Sequence, residues 1–158
     1  LDPNDIINAV KCKIQNEDRV VTCMAKLTSA ERPDDLKTCK VVTNLDGDLM
    51  YVSRNAIPSS KSGIIKTAHK QVCVYAFDKK QLKDYYDIGK KNGKTPVEAS
   101  EDIEIIRFLE MGIKVKMVEV EGGTLAVDFP EDVKMVEKIF RKQQLYSQLD
   151  DKVKSGIR

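Results

Sequence analysis

An α/β fold built on one mixed sheet is what this sequence predicts, and three observations carry the prediction. Short β-branched or apolar runs alternate with helical patterns along the chain; one Asp-Gly turn joins two of the runs as a hairpin; and residues 113–120 (IKVKMVEV) alternate apolar and charged side chains, the period of a half-exposed strand. With 158 residues, 41% of them apolar, the chain is long enough to bury a core and is expected to form a single domain over 1–158, with a polar helical tail from about residue 143.

The elements follow in order. Asp2, Pro3 and Asp5 give an N-cap, a proline in the first turn and an early acidic residue, opening a helix whose apolar stripe is Ile6, Ile7, Val10 and Ile14. Residues 20–25 (VVTCMA), 40–43 and 49–53 are β-branched strand runs, the last two joined by the turn Leu45-Asp46-Gly47-Asp48. Residues 56–70 carry a proline, serines and Gly63 with little periodicity, which predicts a long surface excursion. A strand is expected over 71–77 (QVCVYAF). Asp78 then caps a helix through Leu82, Tyr85 and Tyr86 that ends near Gly93, and Thr95-Pro96 starts a helix continuing to Gly112. After Gly122-Gly123 come a short strand at 125–127 and a helix from Pro130.

The 27 basic and 25 acidic residues nearly balance, so composition does not call for a nucleic-acid partner. Cys12, Cys23, Cys39 and Cys73 include no C-x-x-C pair and His69 is the single histidine, a poor ligand set for structural zinc; free, mostly buried thiols in a cytoplasmic protein are expected. No run reaches the ~20 apolar residues of a membrane helix.

Four places in the chain hold side chains that suit chemistry. Asp128 lies between an apolar run and a helix start. It is placed either to hold a hard cation such as Mg²⁺ at a strand's carboxyl end, or to favour the helix's N-terminal amides. Glu101, Glu104 and Arg107 recur at three-residue spacing on the expected helix, a face that suits sugar hydroxyls or, alternatively, a solvated face with a Glu104–Arg107 ion pair. Arg54 ends a strand where its guanidinium can fork onto an anion or stay solvated. Gln71 and Tyr75 share one strand face, with Gln71 either a substrate contact or a strand-end polar residue. No glycine-rich phosphate loop of the usual patterns is present.

Taken together, "VVTNLDGDLMYVSRNAIPSS", "KQVCVYAF", "KTPVEASEDIEIIRFLEMGIKVKMVEV" and "LAVDFPEDV" resemble, in order, motifs of the 3-deoxy-manno-octulosonate cytidylyltransferases. The resemblance runs from residue 1 to about 141. It implies a Rossmann-like α/β fold with the mixed sheet of the nucleotide-diphospho-sugar (glycosyltransferase type A-like) transferases. It also implies transfer of CMP from CTP to an acidic 3-deoxy sugar with Mg²⁺, in a homodimer that uses neither nucleic acid nor membrane.

By the same resemblance Asp128 is a metal ligand, and Arg54, Gln71, Tyr75, Glu101 and Glu104 are substrate-binding. Gln71 stands where the motif has histidine, Cys73 where it has glycine, Ile105 where it has glutamine and Phe129 where it has threonine. The N-terminal nucleotide-binding strands, with a second metal-binding aspartate, have no counterpart here. The chain is therefore expected to be an inactive fragment equivalent to the C-terminal two-thirds of an enzyme. A non-catalytic sugar-binding or dimerisation module, and a transferase for a nine-carbon sialic-type acid, are the alternatives.

Overall fold

The computed structural model describes residues 2–29, 31–62, 68–122, 130, 133, 134 and 136–138. The chain divides into two compact units, Leu1–Gly122 and Gly123–Arg158. In the second, the described residues are all helical, which places part of the helix expected from Pro130; the expected strand at 125–127 and the tail lie outside the described residues.

The first unit runs α1 (Pro3–Gln15), β1 (Val20–Lys26), β2 (Lys40–Thr43), β3 (Leu49–Ser53), β4 (His69–Ala76), α2 (Lys79–Asn92), α3 (Pro96–Glu101), α4 (Ile106–Glu110) and β5 (Val115–Glu119). The five strands form one mixed sheet in the order β3-β2-β4-β1-β5, antiparallel except for the parallel pair β1–β5. β1 is buried on both faces, as expected of a central strand. Because its side chains alternate, Val21, Cys23 and Ala25 pack towards Ala9 and Cys12 of α1, while Val20 joins Val52, Val115, Ile103 and Phe108 on the opposite face.

The β2–β3 turn is the Asp-Gly hairpin read from the sequence. Gly47 adopts φ +72°, a left-handed conformation open to glycine at little cost. The Asn44 side chain accepts from the Asp48 amide at 2.9 Å, and the Gly47 amide donates to Asn44 O at 3.0 Å. The tip reaches β5, where the Met117 amide donates to Gly47 O at 2.9 Å and Asp48 bridges to Lys116. Arg19 Nη1 meets the buried Asp48 carboxylate at 3.0 Å.

Four expectations change. The isoleucine stripe of α1 does not face the sheet: Ile6, Ile7 and Val10 are each 47% exposed and Ile14 67%, while Asp5 and Ala9 are buried. Small Ala9 and Cys12, on the other side of the helix, make the close contact with the strands. The helix expected over 95–112 is two short helices broken at Asp102, which takes φ +53°, a conformation aspartate tolerates better than most residues. The break lets Ile103, Ile105 and Ile106 all enter the core, which one straight helix could not do from a single face. Among the cysteines only Cys23 is fully buried; Cys73 is exposed and Cys12 and Cys39 lie between, although all four are free thiols. The surface excursion ends two residues early, with β4 already formed at His69.

Candidate functional site

The end of β3, the α3–α4 corner and β4 meet on the core face of the sheet, and the break at Asp102 decides how. With the chain turned there, the Glu101 carboxylate lies over the end of β3. Its Oε1 accepts from Ser53 Oγ at 2.7 Å and Tyr51 Oη at 3.1 Å, and its Oε2 from the Arg54 amide at 3.0 Å. Burial pushes the Glu101 carboxyl up, but the Arg54 amide and the Ser53 and Tyr51 hydroxyls outweigh it and hold it below the usual carboxylate range.

Arg54 answers in kind. Its Nε donates to Glu101 O at 2.6 Å, Nη2 to Asp102 O at 2.9 Å and Nη1 to Leu36 O at 3.2 Å. The guanidinium thus ties the left-handed corner to the loop before β2, and three of its five donors are held by backbone carbonyls. Lys40, fully buried, supports the same corner from below: its ammonium donates to Asp35 O at 2.8 Å, Thr38 O at 2.6 Å and Arg54 O. Nothing in the local pattern around Lys40 signals this role, since a lysine that starts a strand is ordinarily solvated.

A second group of side chains stands on β4. Gln71 and Tyr75 share a strand face, and Gln71 Nε2 donates to Tyr75 Oη at 2.9 Å. Tyr75 Oη in turn donates to Glu104 Oε1, joining β4 to the α3–α4 corner. Burial, reinforced by the Glu104 carboxylate, pushes the Tyr75 hydroxyl pKa up, so it keeps its proton. Beside this chain lies a cavity of about 220 Å³ walled by Phe77, Leu82, Tyr85, Ile105 and Phe108, with Glu104 its single charged lining residue. Phe108 stacks in tilted fashion against Tyr85 at 5.0 Å and Phe77 at 6.4 Å.

Arg107 is not part of the Glu101–Glu104 face and makes no surface pair with Glu104. It turns inward and forms a buried ion pair with Glu98, Nε to Oε2 and Nη2 to Oε1 both at 2.7 Å. Its Nη1 donates to Tyr85 O at 3.1 Å and its Cζ stands 4.0 Å from the Tyr85 ring centroid. Of the residues singled out in the sequence, the fold thus brings together Arg54 with Glu101, and Gln71 with Tyr75 and Glu104. Asp128 lies outside the described residues. No three His, Cys, Asp or Glu side chains gather into a metal-holding group among the described residues, and none of the helices described is long and apolar enough to cross a membrane.

Comparison with known proteins bears on this arrangement. A family model described as cytidylyltransferase matches residues 1–120. The 3-deoxy-manno-octulosonate cytidylyltransferase of Christiangramia forsetii is 32% identical over 143 residues, covering 88% of this chain and 56% of the relative. The enzyme of the same name from Chlamydia pneumoniae is 32% identical over 140 residues, covering 85% and 52% respectively. The chain thus spans about half the length of these relatives. A solved CMP:2-keto-3-deoxy-manno-octonic acid synthetase complexed with CTP superposes with a TM-score of 0.81 at 24% identity, covering 90% of this chain and 58% of that one, so the two share a fold.

Proposed function

Because the chain belongs to the cytidylyltransferase family, we propose that its protein transfers CMP from CTP to an acidic 3-deoxy-octulosonate-type sugar, releasing pyrophosphate, and that this chain supplies the sugar side of that site. The observation that carries the reading is the hydrogen-bonded chain Gln71–Tyr75–Glu104, which draws two distant segments together beside an aromatic cavity. A cavity with aromatic walls and a few convergent polar groups suits the carbon face and hydroxyls of a sugar. Gln71 and Glu104 bind the sugar, Tyr75 orients Glu104, and Glu101 with Arg54 holds the corner from which Glu104 projects.

Mg²⁺ belongs to the same proposal, with Asp128 as a ligand; a hard cation of this kind takes carboxylate oxygens and offsets phosphate charge during phosphoryl-type transfer. We further propose a homodimer in solution. Titration calorimetry tests these statements. The 158-residue chain is expected to bind a 3-deoxy-octulosonate, Tyr75→Phe to bind it several-fold more weakly, and Asp128→Ala to weaken the heat of Mg²⁺ binding while keeping the sugar. Absence of sugar binding by the folded wild-type chain would overturn the reading. Formation of CMP-sugar by this chain alone would refute the expectation that it is inactive. A monomeric mass by light scattering would refute the dimer.

A further inference from the structure

Asp5 is a carboxylate buried without a donor. It is 4% exposed, and its Oδ2 accepts from no group among the described residues. Its place in the first turn of α1 favours a negative charge, but the cap contacts there do not reach its side chain. The Asn4 amide donates to Asp2 Oδ1 at 2.8 Å, and the Asp5 amide itself to Asp2 O at 3.0 Å. Burial, and after it the Asp2 carboxylate, push the Asp5 carboxyl up.

Asp5 lines a cavity of about 540 Å³ on the α1 side of the sheet, where Asp2, Asn4 and Asn8 of the helix face Lys26, Glu119 and Glu121 at the ends of β1 and β5. Four carboxylates thus stand against one ammonium, and that ammonium is already engaged, with Lys26 Nζ 3.3 Å from Glu119 Oε1. Asp2, Glu119 and Glu121 are exposed at the rim, where water screens them, so Asp5 is the carboxylate that most lacks a partner. The strand side of the cavity is held in place. The Val120 amide donates to Met24 O at 2.8 Å, and Gly122 passes so close to β1 that a Cβ built on it falls 2.7 Å from the Ala25 Cβ.

A cation answers this arrangement, and the cavity selects its kind. The carboxylates do not gather into a metal-holding group among the described residues, and a single ion with its waters, at about 30 Å³ each, fills only part of the space. An alkylammonium offers three protons, which match the Asp5 carboxylate and the side-chain oxygens of Asn4 and Asn8. A second positive group further along the same molecule then meets the carboxylates of the rim.

We propose that this cavity binds an alkyl diamine or longer polyamine, with one ammonium on the Asp5 carboxylate and the next between Asp2 and Glu121. The site stands independently of the sugar-binding reading, since it uses none of the same residues.

Spermidine is the probe. In titration calorimetry at fixed ionic strength, the 158-residue chain is expected to bind it saturably, one to one, and equimolar Mg²⁺ is expected not to displace it. Asp5→Asn keeps the shape and removes the charge, and should weaken binding about tenfold, the size of one lost charge-assisted contact. Because that substitution removes a buried unpaired charge, the free variant should melt no lower than the wild type. Spermidine should then raise the melting temperature of the wild type and leave that of Asp5→Asn nearly unchanged. Glu121→Gln, an exposed change at the rim, should weaken binding about threefold. Absence of saturable binding by the wild-type chain, or binding left undiminished by either variant, overturns the proposal. Displacement of spermidine by equimolar Mg²⁺ overturns the polyamine assignment and makes this a site for a single hard ion.

Discussion

Glu98 and Arg107 meet as a two-pronged ion pair across the α3–α4 corner, both contacts at 2.7 Å and both side chains almost wholly withdrawn from water. The pair is embedded further: Glu98 Oε2 also accepts from the Thr95 amide at 3.0 Å, and Arg107 covers the Tyr85 ring. One contact therefore joins α2, α3 and α4 beneath the site that carries Glu101 and Glu104.

Removing one partner leaves the other as a buried, uncompensated charge. Arg107→Met is expected to destabilise the fold by about 3–5 kcal/mol, and Glu98→Gln in the Arg107→Met background to recover a substantial part of it. Urea unfolding of the single and double variants measures both. A single-variant cost below about 1 kcal/mol would show that the pair contributes little.

Gly89 of α2 lies against that arginine: a Cβ built there falls 2.3 Å from Arg107 Nη1. Alanine at an interior helix position ordinarily gains about 0.5–1 kcal/mol over glycine. Here the guanidinium is pinned by Glu98 and cannot yield, so overpacking of about 1–3 kcal/mol wins and Gly89→Ala is destabilising. In the Arg107→Met background the sign should reverse, and thermal melts of the four variants read it directly.

Acid should unfold the protein through Glu98 and Glu101. Burial pushes both carboxyls up, but their hydrogen bonds, chiefly from Arg107 to Glu98 and from the Arg54 amide to Glu101, hold both below the ordinary 4.5. The unfolded chain then binds more protons than the folded one, so stability rises with pH. The contribution is complete above about pH 4.5 and is lost as pH falls through the depressed values. Denaturation midpoints between pH 3 and 6 should drop with acid in the wild type, and less steeply in Glu98→Gln and Glu101→Gln.

Lys40 offers a fourth test. Its buried ammonium serves carbonyls of Asp35, Thr38 and Arg54. Burial lowers its pKa, and the surrounding acidic groups only partly offset this. Lys40→Met matches its shape but leaves those carbonyls without a donor, at a cost of about 3 kcal/mol. Because Arg54 O is one of them, sugar affinity should fall as well in the fraction that remains folded, which calorimetry at low temperature separates from lost stability.

Local pattern revealed much of the fold. The strict alternation of 113–120 and the Asp-Gly turn mark β5 and the β2–β3 hairpin, and Asp78 with Gln81 forms the capping box that starts α2. What local pattern missed is tertiary. Three-residue spacing made Glu104 and Arg107 look like neighbours on one helix, whereas the buried carboxylate of Glu98 draws the guanidinium inward and the core takes Ile103 and Ile105 together. The stripe on α1 misled for a related reason, since periodicity shows that an apolar face exists without showing what covers it. At the candidate site, the resemblance singled out Gln71, Tyr75 and Glu104, which the fold joins by hydrogen bonds, but the places of Lys40 and Gly89 depend on atoms that lie far off in sequence.

The hairpin tip fastened to β5 has a kinetic meaning. The Met117 amide and Gly47 carbonyl lie 70 positions apart, and Asp48, which Arg19 neutralises, bridges to Lys116 across nearly the same span. Such a closure forms only after much of the intervening chain is ordered, which places it late in folding and makes folding slow for a unit of this size. In the native state the same latch opens only when the sheet does. The Met117 amide should then exchange its hydrogen at the rate of global unfolding, a single-residue gauge of the whole unit's integrity.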